Sequence, residues 1–414
     1  MAQHQAMERA VVDDAEPPLL PVMSANGRPG CPPNPPSALD GRIETFRSTH
    51  YPDTSDAVWE NWHFQLSHRI TTAEELSRFL TLSEAESAAF ERADALLSFA
   101  ITPHYLSLID PNDRDNALRK SVVPTIAETI RSADESDDPL GEGEDSLLRC
   151  LVHRYPDRVL FLTTNFCSTY CRYCTRSRMV GHSEALSFHW QKGLDYIASH
   201  PEIRDVVVSG GDPLTLSDEV LDSLLASLFA ISHVEMVRIG TKVPMVMPQR
   251  ITEGLLQVLR RYKPLYMSVH ATHPDELSSR SVKALNDLAD SGVVLGSQTV
   301  LLKGINDSPE TLRSLFHSLL KVRVKPYYLY QCDPISGSEH FRTTVDKGKA
   351  LMATLRGFTS GYAVPQYVID TPGGGGKVPI LPAYEVGQDD HALYLRNWEG
   401  NIYRYPTLRE VASC

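Results

Sequence analysis

The chain has 414 residues, with 40 Lys and Arg against 52 Asp and Glu, which gives a formal net charge of −12. Its 42% hydrophobic and 22% charged residues suit a globular protein with a large core, and its length allows roughly two or three domains, or one α/β barrel. The acidic balance argues against nucleic-acid binding, and no apolar run approaches the ~20 residues that span a bilayer. No secretory signal is recognisable at the N-terminus, so we expect a cytoplasmic protein with neither a membrane nor a nucleic-acid partner.

The first part of the sequence divides into two stretches of different character. Residues 1–40 are crowded with prolines and lack apolar periodicity, so we predict a disordered extension there. Residues 41–150 predict a helical N-terminal region, in which the segments 71–75 and 82–86 mark helix starts because a hydroxyl residue precedes acidic residues in each. Residues 131–147 are acidic and contain glycine, which predicts a surface loop.

From about residue 157 short apolar runs alternate with helical patterns. The predicted strands are 158–165, 205–209, 234–240, 264–270, 293–300, 325–331 and 366–370. Regular alternation of this kind implies a parallel sheet, either open or closed into a barrel. We therefore predict an α/β fold with a partial (β/α) barrel over residues 151–372. The chemistry of such folds lies at the carboxyl ends of the strands, and that rule can be tested against the motifs below.

Three of the seven cysteines lie close together, since Cys167, Cys171 and Cys174 directly follow the first predicted strand. An odd number of cysteines in a chain of this length argues against a disulfide framework, and the clustering of three of them indicates a metal or cluster site. Structural zinc usually takes four protein ligands, so a zinc loop would need His153 or His182 in addition. A [4Fe–4S] cluster held by three cysteines leaves one iron open to a non-protein ligand.

The cysteine spacing, CxxxCxxC with an aromatic residue before the last Cys, resembles the signature of the radical S-adenosylmethionine (SAM) superfamily. The resemblance implies a TIM-like radical SAM partial barrel, a [4Fe–4S] cluster on the three thiolates, and SAM on the open iron. Residues 209–213 end the second predicted strand and resemble the segment that contacts the SAM amino group, which assigns Gly210, Gly211 and Asp212 to SAM. We expect the two glycines to let the backbone approach the ligand closely.

Residues 372–379 read Pro-Gly-Gly-Gly-Gly-Lys-Val-Pro, with Lys377 after four glycines. This is not a P-loop, because neither a Ser or Thr nor a helical pattern follows the lysine. Taken alone, the segment predicts a mobile surface loop with a solvated lysine. Together with other blocks it resembles the pyridoxal 5′-phosphate (PLP) lysine of lysine 2,3-aminomutases, which assigns residues 373–414 to a PLP-lysine loop and C-terminal segment and places Tyr330 near PLP.

The resemblance to lysine 2,3-aminomutases extends from about residue 46 to 402. The further blocks that carry it are 100–113, 153–158, 326–333, 340–343 and 368–372. Agreement in so many separate blocks is not expected by chance. It implies an isomerase that moves the α-amino group of a basic L-amino acid to Cβ, with a [4Fe–4S] cluster, SAM and PLP as cofactors.

The resemblance also assigns cofactor contacts residue by residue. Arg154, Tyr155 and Arg158, which lie just before the first predicted strand, match residues that hold the PLP phosphate, a task that suits guanidinium forks. His270 and Gln298 end two other predicted strands and match positions around SAM. Without the resemblance, either side chain could simply cap backbone groups.

The substrate contacts are assigned to three charged residues. Arg176 matches a clamp for the substrate carboxylate, whereas Asp333 and Asp370 match the pair that binds the side-chain ammonium of lysine. Two carboxylates in one cavity repel unless a cation lies between them, so an acidic substrate is disfavoured.

The identity of the basic substrate stays open, because a guanidinium forks onto two carboxylates at least as well as an ammonium does. Residues 334–338 carry Pro and Ser where bulkier residues are expected in the lysine enzymes, which weakly favours a roomier pocket. We predict conversion of L-lysine to β-lysine. The alternative is an arginine 2,3-aminomutase, and a more distant one is a zinc-binding scaffold without enzymatic activity.

The resemblance further implies an electron donor such as flavodoxin or ferredoxin, and a homo-oligomer. Some lysine 2,3-aminomutases carry a Cys-rich C-terminal tail that shares a zinc site with a Cys in a GxND loop. Here that loop, residues 304–308, has no Cys, and Cys414 has no neighbouring cysteines. We therefore expect no structural zinc, and assembly by that route is not implied.

Overall fold

A computed structural model describes residues 38–92, 97–146, 148–181 and 190–407. The predicted disordered extension lies outside these residues, apart from its last three positions, which belong to helix α1. No helix among the described residues is long and apolar enough to cross a membrane.

Helices fill the N-terminal part of the described chain and then alternate with strands. Their bounds are α1 Ala38–His50, α2 Asp56–Trp59, α3 Trp62–Ser67, α4 Ala73–Leu76, α5 Glu84–Phe90, α6 Pro103–Ser107, α7 Ala117–Val122, α8 Trp190–Ser199, α9 Asp218–Phe229, α10 Val243–Val246, α11 Glu253–Arg260, α12 Ser279–Asp290, α13 Pro309–Lys321 and α14 Val345–Leu355.

Twelve strands occur in the described part of the chain. They are β1 Leu151–Tyr155, β2 Arg158–Thr164, β3 Asp205–Gly210, β4 Met236–Thr241, β5 Leu265–His270, β6 Val294–Leu301, β7 Lys325–Gln331, β8 Gln366–Thr371, β9 Gly376–Pro379, β10 Glu385–Asp389, β11 Ala392–Arg396 and β12 Ile402–Pro406.

The first nine strands form one sheet in sequence order. Strands β2 to β8 are parallel to one another, while β1 pairs antiparallel with β2 and β9 pairs antiparallel with β8. The seven parallel strands are those that the sequence predicts, with ends displaced by at most two residues. Together with the helices between them, they confirm the predicted α/β fold with a TIM-like partial barrel.

The helices cover the sheet because each presents one apolar stripe. In α9 the buried residues Leu221, Leu224, Leu225 and Leu228 recur at helical spacing, and Ser217 caps the first turn by accepting from the Val220 amide. Helix α13 buries an equivalent stripe. These leucines join the valines and isoleucines of the strands in one continuous core.

The predicted helix starts in the N-terminal region are confirmed at atomic detail. Thr72 and Glu75 form a capping box at the start of α4, and Ser83 and Glu86 form one at the start of α5. Each box satisfies backbone N–H groups that the first helical turn leaves without partners.

The two edge strands were not predicted, and they correct the expected placement of Arg154, Tyr155 and Lys377. Arg154 and Tyr155 do not lie before the first strand but within β1, and Arg158 opens β2. Lys377 lies on β9, and the glycines before it form the turn of the β8–β9 hairpin instead of an independent loop. The predicted boundary at residue 372 therefore falls inside a hairpin that belongs to the large sheet.

Strands β10 to β12 form a separate antiparallel sheet near the C-terminus. The sequence analysis treats this stretch only as a C-terminal segment. Its residues are mostly exposed, so the buried apolar runs that indicate the other strands are missing here.

Candidate functional site

The loop that carries the three cysteines leaves the carboxyl end of β2. Cys167, Cys171 and Cys174 are enclosed by protein, and burial raises the pKa of each thiol, in the case of Cys174 to about 11. Cys171 and Cys174 also raise the pKa of Cys167, and Cys171 raises that of Cys174. The three thiols are therefore close enough to interact electrostatically. Buried thiols of this kind become thiolates when a metal neutralises them.

A positive side chain accompanies each thiol. Arg69 lowers the pKa of Cys167, Lys242 that of Cys171 and Arg176 that of Cys174, in each case opposing the larger effect of burial.

The donor set fits an iron–sulfur cluster. Three soft thiol donors lie on one loop, and a cluster spreads its cysteine ligands over different irons instead of converging them on one point. Among the described residues, no three His, Cys, Asp or Glu side chains are grouped to hold a single metal ion.

The loop that carries Cys167, Cys171 and Cys174, here called the cluster loop, is anchored to the N-terminal helical region by two arginines. The fully buried Arg172 forms an ion pair with Glu128 and donates to the carbonyl of Leu97 at 3.0 Å. Arg69 donates to the carbonyl of Cys167 at 2.9 Å and lies over the ring of Phe166. The sequence analysis missed both arginines, because their partners lie tens of residues away in the chain.

The glycines at the end of β3 make a close backbone contact that was not predicted. A Cβ atom on Gly210 would lie 2.2 Å from the carbonyl oxygen of Thr164, and one on Gly211 would lie 2.4 Å from that of Phe166. The glycines therefore let β3 approach the backbone that leads into the cysteine loop, and their approach to SAM stays a prediction.

The carboxylate of Asp212 is fully engaged within the protein. One oxygen accepts from the Leu214 amide and the Thr241 hydroxyl, and the other accepts from the amides of Lys242 and Val243. The side chain thus ties β3 to the carboxyl end of β4. The assignment of Asp212 to SAM stays a prediction.

His270 and Gln298 are register partners at the carboxyl ends of β5 and β6, and their side chains are hydrogen-bonded. Burial, together with the charges of Lys242 and Arg176, lowers the pKa of His270 to about 4, so the imidazole is neutral near pH 7. The structure brings both residues to the edge of the sheet that carries the cysteine loop, and their assignment to SAM stays a prediction.

A buried polar network beside Cys171 was not predicted. Lys242 forms an ion pair with Glu276, which also accepts from Tyr105 at 2.8 Å and from the Thr272 amide at 2.6 Å. Motif spacing gives no sign of this network, because its members come from four separate elements. Its lysine, Lys242, is the charge with the largest lowering effect on the pKa of Cys171.

Lys377 and Asp370 are register partners on β9 and β8, and the lysine Nζ lies 3.0 Å from the Asp370 Oδ2. The Nζ also lies 5.6 Å from the ring centre of Tyr330 on β7. The Lys377 amide donates to the Tyr155 hydroxyl at 2.9 Å. Lys377 is therefore held beside three of the residues that the resemblance assigns to PLP and to the substrate.

The arginines assigned to the PLP phosphate lie next to the same hairpin. Arg158 lies over the ring of Tyr155, 4.3 Å from its centre. Arg154 donates to Asp145 at 2.7 Å and to the carbonyl of Leu140, and its guanidinium is within 4 Å of a Cβ built on Gly374. The guanidinium of Arg154 beside the glycine turn, and that of Arg158 on the tyrosine that contacts β9, suit a phosphate, with Asp145 as an acidic neighbour that was not predicted.

Arg176 is paired within the protein. Its Nε donates to Glu142 at 3.1 Å and its Nη2 donates to the same carboxylate at 2.7 Å. Glu142 is buried, although it belongs to the stretch predicted as a surface loop. That prediction is wrong for the middle of the stretch, because its acidic residues turn inward to arginines of the site.

Burial, and after it the charge of Asp370, raise the pKa of Asp333 to about 7, whereas Lys377 acts in the opposite direction. Asp333 and Asp370 therefore interact electrostatically, and two interacting carboxylates favour a cation near them. The binding of a substrate ammonium by this pair stays a prediction.

The two histidines considered for a zinc loop differ in what the structure says of them. His153 lies on β1, where its ring contacts Tyr196 of α8 at 3.0 Å instead of the cysteine loop. His182 lies outside the described residues.

The fold and the cysteine loop together define a radical SAM enzyme. The chain matches the Radical SAM superfamily profile over residues 161–315, and it matches a profile described as Lysine-2,3-aminomutase over residues 352–413.

Curated relatives are similar over most of the chain. L-lysine 2,3-aminomutase from Clostridium subterminale is 48% identical over 369 residues, which are 89% of this chain and 88% of that protein. The enzyme of the same name from Fusobacterium nucleatum is 48% identical over 361 residues, 87% of this chain and 85% of that protein. Glutamate 2,3-aminomutase from Clostridioides difficile is 42% identical over 348 residues, 84% and 82%. The chain therefore belongs to the lysine 2,3-aminomutase family, and it is an isomerase.

Proposed function

We propose that the chain is a PLP-dependent radical SAM 2,3-aminomutase that converts L-lysine to β-lysine. The observation that carries the proposal is the grouping of Lys377, Asp370, Asp333 and Arg176 at the carboxyl ends of the parallel strands. Lys377 can hold a cofactor aldehyde, and Arg176 can bind a carboxylate. The two aspartates can bind a cation.

The charges of this grouping favour a basic side chain in the substrate. Without PLP, the positive charge of Lys377 offsets the negative charges of the two aspartates. This charge would be lost to them once the lysine amine is engaged by PLP. The buried carboxylates would then need another cation, and the side-chain ammonium of lysine supplies one. A glutamate substrate, which the name of one relative implies for that enzyme, would bring a third carboxylate to this space, so an acidic substrate is disfavoured here.

Arginine is the alternative substrate within this proposal. Its guanidinium also suits two carboxylates. The loop after β7 does not clearly favour one substrate, because Ile335 is buried and Ser338 donates to the backbone of Asp333 at 3.0 Å.

Named residues of this chain would hold each cofactor. Cys167, Cys171 and Cys174 would ligate the cluster, and the carboxyl ends of β3, β5 and β6 would line the SAM site. Lys377 would hold PLP, with Tyr330 beside its ring and the three residues Arg154, Tyr155 and Arg158 near its phosphate. When bound, the cluster with SAM supplies radical chemistry at the Cβ–H bond, and PLP supplies a π-system conjugated to the migrating nitrogen.

The protein's own contribution is position and exclusion. Arg176 would fix the substrate carboxylate, and Asp333 and Asp370 would fix the far end of its side chain, so that only Cβ faces the site of hydrogen removal. The buried surroundings of the thiols and of Tyr330 would keep water and other hydrogen donors away.

The proposal includes further partners. A cluster that must be reduced needs an electron donor, and flavodoxin or ferredoxin are of that class. We also propose a homo-oligomer that acts in the cytoplasm, on the basis of family resemblance and of the composition.

An anaerobic competition assay tests the substrate. The chain, reconstituted with iron, sulfide, PLP, SAM and a reductant, would receive equal lysine, arginine and glutamate, with β-isomers detected by mass spectrometry. β-Lysine as the main product would support the proposal, and β-arginine would transfer it to the alternative. β-Glutamate, or SAM cleavage without any β-amino acid, would contradict it.

A further inference from the structure

Glu142 makes a two-point contact with the arginine assigned to the substrate carboxylate. Its two oxygens accept from the Nε and the Nη2 of Arg176 at 3.1 and 2.7 Å. The Glu142 side chain is 6% exposed and that of Arg176 is 19% exposed, so the pair is shielded from solvent. A buried bidentate pair of this kind fixes the plane of the guanidinium.

The position of Glu142 is itself fixed by its own loop. Asp138 accepts from the amides of Glu142 and Gly143 at 3.1 and 2.8 Å, and Arg178 contacts the carboxylates of both Asp138 and Glu142.

The acidic loop, residues 135–146, is also tied to the loop after β7 and to the β8–β9 turn. The Ser136 amide donates to the carbonyl of Pro334 at 3.0 Å, and the Gly373 amide donates to that of Pro139 at 3.3 Å. The loop thus holds Glu142 against the same elements that carry Asp333 and Lys377.

The contact leaves one edge of the Arg176 guanidinium for a ligand. A guanidinium has five N–H donors, and Glu142 takes the Nε–H and one Nη2–H. Both Nη1–H groups and the second Nη2–H remain, and one Nη1–H together with that Nη2–H forms the outer fork, whose two parallel bonds suit a carboxylate. The orientation of Arg176 toward the space that contains Asp333 therefore depends on Glu142.

We propose that Glu142 is the positioning residue of the substrate-carboxylate clamp, and this rests on the proposed function. Glu142 does not touch the substrate. It presents the outer fork of Arg176 to the carboxylate of the amino acid and offsets the charge of an otherwise unpaired buried guanidinium.

Direct binding of two ligands tests this role without turnover. L-lysine and L-lysinamide, which lacks the carboxylate, would be measured by equilibrium dialysis on the PLP-loaded chain, and kcat and KM for L-lysine would be measured on the complete enzyme. Glu142→Gln should weaken L-lysine binding and raise KM by about tenfold, with kcat changed less than about twofold and lysinamide binding unchanged.

Two variants accompany Glu142→Gln. Glu144→Gln removes the same charge from an exposed position in the same loop and should match the unaltered chain. Glu142→Asp keeps the charge but withdraws the carboxylate, and it should restore part of the affinity for L-lysine. Equal iron content and circular dichroism spectra of all variants establish that each is folded.

Three results would overturn the proposal. Glu142→Gln could bind L-lysine as tightly as Glu144→Gln does, which would show that Glu142 does not position Arg176. It could also weaken the binding of L-lysine and L-lysinamide equally, which would assign Glu142 to the fold of the loop alone. If the unaltered chain neither binds L-lysine nor forms β-lysine, the proposed function fails first and this proposal fails with it, so the two failures are distinguishable.

Discussion

The side chains of the substrate space have charges that depend on one another. Asp333 lies among Asp370, Lys377, Glu142 and Arg176, and each of these groups affects its protonation. The pKa of Asp333 is raised to about 7, and burial is the largest cause. The ability of this space to bind a cation should therefore change within the physiological pH range.

The affinity for a basic amino acid should fall as the pH falls through 7. A raised pKa means that Asp333 takes up a proton below about pH 7 and loses its attraction for the substrate cation. KM for L-lysine, measured between pH 6 and 8.5, should rise toward low pH. Asp333→Asn should raise KM throughout and flatten the profile, whereas a wild-type KM that is constant with pH would contradict the assignment.

Lys377 is the residue whose removal should have the largest effect. Lys377→Ala should abolish β-amino acid formation and the PLP absorbance. Among the described lysines, Lys377 is the one that forms an ion pair with Asp370 and lies over the ring of Tyr330. Borohydride reduction followed by peptide mass spectrometry locates the cofactor. Lys303→Ala, at an exposed position, should retain both properties. Normal turnover by Lys377→Ala would show that the PLP assignment is wrong.

At the scale of elements, the carboxyl end of β3 and the cluster loop form one packing unit. Gly211 has no room for a Cβ atom, because the backbone of Phe166 lies against it. The three cysteines lie on the same loop as Phe166. The distance between the backbones of Gly211 and Phe166 therefore controls where the cysteines are placed.

Gly211→Ala should therefore displace the cluster loop. We expect a lower iron content after reconstitution and a lower melting temperature, because backbone and not a flexible side chain must move. Gly361→Ala is the matched control, since a Cβ there meets nothing within 4 Å. Iron analysis and thermal unfolding of the two variants provide the comparison, and equal values for both would refute the packing argument.

The sequence predicts elements well where burial leaves a pattern and poorly where it does not. Strands β2 to β8 are apolar runs, so their bounds were predicted to within two residues. Strand β1 includes His153 and Arg154, and β9 begins at the last of four consecutive glycines, so neither has the composition of a strand. Glu142 was missed because its partner is 34 residues away, and a loop of acidic residues favours a solvated interpretation.

At the scale of the whole molecule, the large sheet has two edge strands that do not pair with each other. The Tyr155 hydroxyl on β1 accepts from the Lys377 amide on β9 and so links the two edges directly. This hydrogen bond connects the first and last strands of the sheet at the residue assigned to PLP. The backbone position of Lys377 therefore depends on a residue 222 positions earlier in the chain.

Loss of this link should loosen the β9 backbone without unfolding the chain. Tyr155→Phe removes a hydrogen bond worth about 1 kcal/mol, which predicts roughly fivefold faster hydrogen exchange in the peptide that contains Lys377. Tyr362→Phe, at a position that is 73% exposed, should leave this peptide unchanged. Hydrogen exchange with mass spectrometry distinguishes the two variants, and unchanged protection in Tyr155→Phe would count against the link.

The central claim is that this chain moves nitrogen from Cα to Cβ of lysine. The most direct measurement uses L-lysine labelled with ¹⁵N at the α-amino group and ¹³C at Cβ, incubated anaerobically with the fully loaded enzyme and followed by NMR. The account predicts a new one-bond ¹⁵N–¹³C coupling at Cβ, and its absence with Lys377→Ala. Label that stays on Cα or appears as free ammonia, while SAM is consumed, would contradict the account.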